Sequence, residues 1–291
     1  MPSNYTQHIL VLGDHATNTR CFAETLLASV PENDIRYTFV HPNAAQILLR
    51  LTGLDYVETG FTGQRFTDVL KTADGVICLK RIETGIGEKL IPQLEDAGIK
   101  RVLFCPREGN YQPPAERALL SIHQTVHALI KSNLDWTLLR PTTIFGSYDD
   151  PFKALEKSFK SKKRKLLIVG KKTAKNFVQP LHESDFAQAI LKAFPNARTF
   201  RQTYKISGYK PLRIGFVLEQ ICLINHVRFK VLPFWGMHRI LPKWVYIARK
   251  NQPLKIRKLR RSIIAPHEKA FQDFGFTPLA APDFMKGNTD A

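Results

Sequence analysis

The sequence predicts an α/β fold, a doubly wound parallel sheet with a small, mainly helical lobe at the carboxyl end. Three observations carry that expectation. Short apolar runs lack polar alternation, as strands buried on both faces do. Stretches with apolar residues at helical spacing lie between them. Glycine or proline closes several of these elements. At 291 residues, 44% hydrophobic and 23% charged, the chain can fill one large α/β domain, or a sheet domain with an appended lobe.

Taken in order, His8-Ile-Leu-Val-Leu-Gly13 reads as a buried strand opening into a tight turn. A helix over 21–30 carries Phe22, Leu26, Leu27 and Val30 and stops at Pro31. Residues 35–40 read as a second strand and 44–51 as a second helix. Gly75-Val-Ile-Cys-Leu79 is a further strand, and 88–97 a helix ended by Gly98. Arg101-Val-Leu-Phe-Cys105 is the next strand. A long helix over 115–132 lines up Leu119, Leu120, Ile122, Val126, Leu129 and Ile130, and Trp136-Thr-Leu-Leu-Arg140 follows as a strand. The alternation weakens after Gly208. The expected division is therefore 1–208 for the sheet domain, with a flexible basic loop at 153–176, and 209–291 for the lobe.

Residues 1–9 lack the basic and apolar regions of a signal peptide, and no stretch of about twenty residues is free of charge. The apolar segment 231–247 is interrupted by Pro233, Arg239, Pro242 and Lys243. Cys21, Cys78, Cys105 and Cys222 are widely separated, with no metal-ligand spacing and no disulfide framework, so no metal is expected. These features favour a reducing cytoplasm, with peripheral membrane attachment open. The net charge of +18 gathers in two places. One runs from Lys153 through Lys162, Lys163, Arg164 and Lys165 to Lys175; the other runs from Arg239 to Arg261. Such fields attract nucleic acid, anionic lipid or phosphorylated small molecules, though a solvated basic face is the plainer reading.

Five segments, in order, resemble the atypical and extended short-chain dehydrogenase/reductase superfamily, of the NAD-dependent epimerase/dehydratase type. Residues 9–28 take the place of the first strand, glycine-rich turn and first helix. Leu134-Asp-Trp-Thr-Leu-Leu-Arg-Pro141, then Thr-Thr-Ile-Phe-Gly146, is similar to the strand that ends beside the substrate cleft. Gln179-Pro-Leu-His-Glu-Ser-Asp185 resembles the return element, Tyr204-Lys-Ile-Ser-Gly208 the late strand, and Phe274-Gly-Phe-Thr-Pro278 the ending. The resemblance implies a Rossmann-type sheet, NADP or NAD as cofactor, and oxidoreductase or sugar-nucleotide epimerase/dehydratase activity on a phosphorylated or nucleotide-sugar molecule. It places Gly13, Thr17, Asn18, Thr19 and Arg20 at the phosphates and His41 near the adenosine. Leu79 and Cys105 fall on the nicotinamide side, and Arg140, Pro141 and His182 at the substrate.

The chain also departs from that pattern. In Gly13-Asp-His-Ala-Thr-Asn-Thr-Arg20, Ala16 and Thr19 stand where further glycines are expected, and a β-branched threonine resists a positive φ. Gly60-Phe61 replaces a Gly-Asp pair. The 115–132 helix has no Tyr-x-x-x-Lys pair, which in the family supplies the general acid/base. His123, on that helix, and Tyr111, in the turn before it, are the substitutes on offer. The alternative function is thus a non-catalytic relative, a binding, regulatory or assembly factor, acting through its basic surface on nucleic acid or anionic membrane. Asp185 is expected to cap a helix.

Overall fold

A computed structural model describes residues 7–13, 16–29, 35–79, 86–106, 115–145, 151–161, 166–232, 245–247 and 262–278. The chain divides into two compact units. Unit 1 comprises Met1–Pro141, Glu183–Ile206 and His267–Thr277, and unit 2 the three intervening and trailing segments. The division is interleaved rather than falling once at 208.

In unit 1 the chain runs β1 (Gln7–Leu12), α1 (Ala16–Ala28), β2 (Ile35–Val40), α2 (Ala44–Ile47), β3 (Asp55–Val57), α3 (Gln64–Leu70) and β4 (Gly75–Cys78). It continues through α4 (Ile86–Asp96), β5 (Arg101–Phe104), α5 (Ala115–Lys131) and β6 (Asp135–Pro141). Unit 2 then takes β7 (Ile144–Phe145), α6 (Pro151–Ser161), β8 (Leu166–Gly170), α7 (Lys171–Lys175), β9 (Phe177–Val178) and β10 (Leu181–His182). Unit 1 resumes with α8 (Glu183–Ala193), a 3-10 turn (Ala197–Thr199) and β11 (Gln202–Ile206). Unit 2 adds β12 (Leu212–Arg213), α9 (Ile214–Ile224), β13 (Arg228–Leu232) and β14 (Val245–Ile247), and α10 (Glu268–Phe274) returns to unit 1.

The unit 1 sheet has seven strands in the order β3-β2-β1-β4-β5-β6-β11, and every pairing is parallel. Strand order reverses between β1 and β4, the switch point at which such sheets take ligands. One face of the sheet presents Leu10, Leu12, Val76, Cys78, Val102 and Phe104 to Phe66, Leu90, Leu94, Ile122 and Leu129 of the covering helices. These side chains are buried on both the strand and helix sides, which explains why the strand sequences lack polar alternation.

Arg101 stitches the amino end of β5 to its surroundings, with no ion pair to a carboxylate among the described residues. Its Nε donates to Phe194 O (2.7 Å), Nη1 to Asp135 O (2.6 Å) and Thr137 Oγ1 (2.8 Å), and Nη2 to Ala193 O (3.0 Å) and Thr199 Oγ1 (2.9 Å). The guanidinium lies 5.1 Å from the Phe194 ring centroid and 4.5 Å from that of Phe200. Burial pulls its pKa down to about 10, opposed by the charges of Asp135 and Tyr204, so it stays cationic at neutral pH. The carbonyls of Ala193 and Phe194 close α8, where a cation opposes the negative end of the helix dipole. Further on, the buried Tyr204 hydroxyl donates to Asp273 Oδ2 (2.7 Å), and its ring meets Phe274 edge-on at 5.1 Å, so α10 is held to β11.

Unit 2 has its own core. Phe152, Leu155 and Phe159 of α6 pack with Leu167 and Val169 of β8 and with Val217, Leu218 and Ile221 of α9. Strand β8 lies between β13 and β14, parallel to both. The expected loop at 153–176 is corrected here: it holds most of α6, then β8 and α7. Apolar residues at 152, 155 and 159 supply a buried helical face beneath the lysines. The region after Gly208 likewise mixes strands β12, β13 and β14 with its helices. Buried Gln179 organises one end of the unit. Its Nε2 donates to Gly208 O (2.7 Å), its Oε1 accepts from Ala265 N–H (3.2 Å), and its carbonyl accepts from Thr142 Oγ1 (2.6 Å). A Cβ on Gly208 would overlap the Pro180 carbonyl oxygen, so this close passage requires glycine.

Candidate functional site

The carboxyl edge of the unit 1 sheet is level where it matters. Leu12 is in register with Val40 on one side and Cys78 on the other, and Cys78 with Phe104. The residues that follow, Gly13, His41, Leu79 and Cys105, therefore leave the sheet along one line. Gly13 N–H donates to Val40 O (3.0 Å), Leu79 N–H to Leu12 O (3.0 Å) and His41 N–H to Val57 O (3.3 Å).

Gly13 leaves little room for a side chain. A Cβ there would stand 2.9 Å from Thr19 Oγ1 and 3.2 Å from His41 Cδ2. Thr19 is only 1% exposed and faces back toward the strand. In the glycine fingerprint a glycine on the helix permits close helix–strand packing. Here a glycine on the strand side receives a threonine from the helix, and the close approach is kept with the partners exchanged. One position earlier, Asn18 Oδ1 is buried and has no hydrogen-bond partner among the described residues. A buried acceptor of this kind is costly unless some donor meets it.

Arg20 is engaged along its own helix. Its Nε donates to Glu24 Oε1 (2.8 Å) and its Nη1 to Leu49 O (3.3 Å). His41 is half-buried, and its Nδ1 accepts from Asn43 N–H (2.9 Å), which leaves any single ring proton on Nε2. Leu79 and Cys105 are 8% and 5% exposed. The Thr17 side chain and Tyr111 lie outside the described residues. His123 sits on the exposed side of α5, as do His127 and Lys131, while Ile122, Thr125 and Leu129 form the buried stripe.

Arg140 is half-buried near the end of β6, in register with Lys205, and Pro141 is buried opposite Ile206. Strand β6 runs through Pro141, because pairing with β5 ends at Leu138 and the proline has a strand neighbour on one side only. His182 belongs to unit 2, where β10 pairs with β7 at Phe145. Burial, and then the Lys153 charge, holds its imidazole below the usual histidine range, so it is neutral at physiological pH. Asp185 is buried in the first turn of α8, where a carboxylate complements the helix dipole. Among the described residues no group of three or more His, Cys, Asp or Glu could hold a metal ion. No helix among them is long and apolar enough to cross a membrane.

The sheet order, its reversal at β1/β4 and the helices that flank the strands define a Rossmann-type α/β protein. Solved structures share this fold across the chain. A short-chain dehydrogenase/reductase superfamily protein from Agrobacterium tumefaciens, determined with bound NAD, is 13% identical, covers 97% of this chain and 95% of its own, and has a TM-score of 0.65. A dTDP-glucose 4,6-dehydratase from Streptomyces venezuelae, with NAD and TYD bound, is 15% identical at a TM-score of 0.67, covering 97% and 95%. A UDP-glucuronic acid 4-epimerase from Bacillus cereus, in complex with UDP-glucuronic acid and NAD, is 13% identical at 0.67, covering 97% and 98%. At such identities the likeness is one of fold. No family model matches the sequence, and no curated protein matches it.

Proposed function

We propose that unit 1 binds a nicotinamide dinucleotide, NADP or NAD, at the carboxyl edge of its sheet, as an oxidoreductase-like or sugar-nucleotide epimerase/dehydratase-like protein. The observation that carries this reading is the place where β1 gives way to α1: a side chain at Gly13 would crowd Thr19 and His41, and α1 opens beside the β1/β4 switch point. The N–H groups of the first turn of α1, with Thr17, are suited to a pyrophosphate. Asn18 Oδ1 needs a donor, and a ribose hydroxyl offers one where a phosphate does not. Thr19 packs against Gly13, and Arg20, tied to Glu24, adds a cation near the start of α1. His41 lies toward the adenosine, Leu79 and Cys105 toward the nicotinamide, and Arg140 offers a cation to a phosphorylated or nucleotide-sugar substrate. When bound, the dinucleotide supplies hydride exchange.

A second reading, a non-catalytic binding or assembly factor, is favoured by α5, where no Tyr-x-x-x-Lys pair exists and His123 faces solvent. Calorimetric titration with NADH and NADPH tests the first reading: saturable heat is expected, reduced at least about tenfold in Gly13→Val. No binding of either nucleotide would overturn it. Binding without turnover of any nucleotide sugar selects the second reading.

A further inference from the structure

We propose that unit 2 is a peripheral docking face for an anionic lipid bilayer. This inference stands on unit 2 alone and does not rest on the dinucleotide reading. The first observation is where the charge resides. Unit 1 contains 19 Lys and Arg against 19 Asp and Glu, so it is formally neutral. Unit 2 contains 24 Lys and Arg against six Asp and Glu, which is the whole +18 of the chain. Among the described residues both salt bridges, Arg20–Glu24 and Arg36–Asp55, belong to unit 1.

The second observation is what stands among those cations. Helix α7, with exposed Lys171, Lys172 and Lys175, packs on α9 and β13. Ala174 lies against Gly215, and the Arg213 guanidinium sits 6.0 Å from the exposed Phe177 ring. Helix α9 buries Ile214, Val217, Leu218 and Ile221 inward, yet carries Phe216 at 48% and Leu223 at 63% exposure on its outer stripe. Ile224 at its end is 48% exposed, and Val231 on β13, next to Lys230, is 41% exposed. Glu219 is the one acid on α9.

Charge complementarity selects an anionic partner, and the apolar side chains select a lipid one. Lysine ammonium groups on flexible stems act as point charges toward headgroup phosphates, while Phe, Leu, Ile and Val gain by entering the acyl boundary. A single-stranded nucleic-acid surface relies on aromatic stacking, which aliphatic side chains do not provide. No described helix spans a bilayer, so the attachment is at its surface.

Flotation of the full chain with phosphatidylcholine vesicles containing about one third phosphatidylglycerol tests the proposal. Binding is expected at low salt, with at least about tenfold weaker partitioning onto pure phosphatidylcholine. Each near-surface cation is worth roughly fivefold in partitioning, so Lys171→Glu/Lys172→Glu/Lys175→Glu should lower it at least about tenfold. Phe216→Asp/Leu223→Asp, at exposed positions, should weaken vesicle binding several-fold while leaving retention of a duplex oligonucleotide unchanged. Partitioning indifferent to phosphatidylglycerol would overturn the proposal. So would vesicle binding unaffected by the Phe216/Leu223 variant, or an oligonucleotide that displaces the chain from vesicles at equal phosphate, which would assign the face to nucleic acid.

Discussion

The two units handle charge in opposite ways. In unit 1 the opposing charges balance, two ion pairs are formed among the described residues, and the half-buried Arg101 is enclosed by carbonyls, hydroxyls and two phenyl rings. In unit 2 the lysines and arginines exceed the acids fourfold, and the described ones stand at the surface over an apolar core. A parallel sheet does not need net charge, and the unit that carries the Rossmann-type sheet has none. Net positive charge in unit 2 raises its self-repulsion and is tolerated because the core beneath is separately complete. The surface cationic character of this protein is therefore a property of one unit, to be explained by what that unit meets.

Four measurements would break or sharpen this contrast. Replacing Arg101 with Met removes five donors from a half-buried site and strands the Phe194, Ala193 and Asp135 carbonyls, so a loss of about 3 kcal/mol is expected. Urea unfolding with hydrogen exchange should place that loss in unit 1; protection unchanged there would show that the cation is dispensable. Gly208→Ala forces a methyl into the Pro180 carbonyl and should cost unit 2 about 2–3 kcal/mol by the same readout. A third change, Tyr204→Phe, deletes the bond to Asp273 and should cost about 1–2 kcal/mol.

Tyr204 also carries a pH signature. Burial, then the hydrogen bond to Asp273 and its charge, raises the phenol above its ordinary value, so the folded chain keeps a proton that the unfolded chain releases. Its contribution is complete below about pH 10 and declines above it, and the Phe variant should lose that alkaline sensitivity. The smallest effect separates the units by salt. Raising NaCl to about 0.5 M should stabilise unit 2 by about 1 kcal/mol or less and leave unit 1 unchanged. Equal shifts in both units would remove the contrast.

The strands of unit 1 could be read from sequence because burial on both faces writes an uninterrupted apolar run, as in Leu10 to Leu12 and Val102 to Phe104. Strand β3 could not: Asp55-Tyr56-Val57 is an edge of three residues with Asp55 and Tyr56 exposed, and such a strand leaves no pattern. Helix α3 buries only Phe66 and Leu70, too few to register as periodic. The expected helix over 44–51 closes at Ile47, before Arg50 takes a φ of 72°. Lysine density concealed α6, although Phe152, Leu155 and Phe159 hold the helical spacing. At the site, Gly13 was recognisable alone. The orientation of Thr19 was not, because it depends on a pair of residues on different elements, and local sequence does not report which member of the pair gives way.

The polypeptide enters and leaves unit 1 repeatedly, and its last contribution, His267–Thr277, follows the long excursion of 207–266. Strand β11 is latched by α10 through Tyr204 and Asp273, residues 69 positions apart. During vectorial synthesis the first six strands emerge while this latch is still inside or beyond the ribosome, so the sheet waits, open at one edge, for the tail. Late closure of this kind lengthens exposure to chaperones and to mispairing. A nascent chain stalled before residue 267 should therefore present a protease-sensitive β11, and release of the final segment should be the event that seals it.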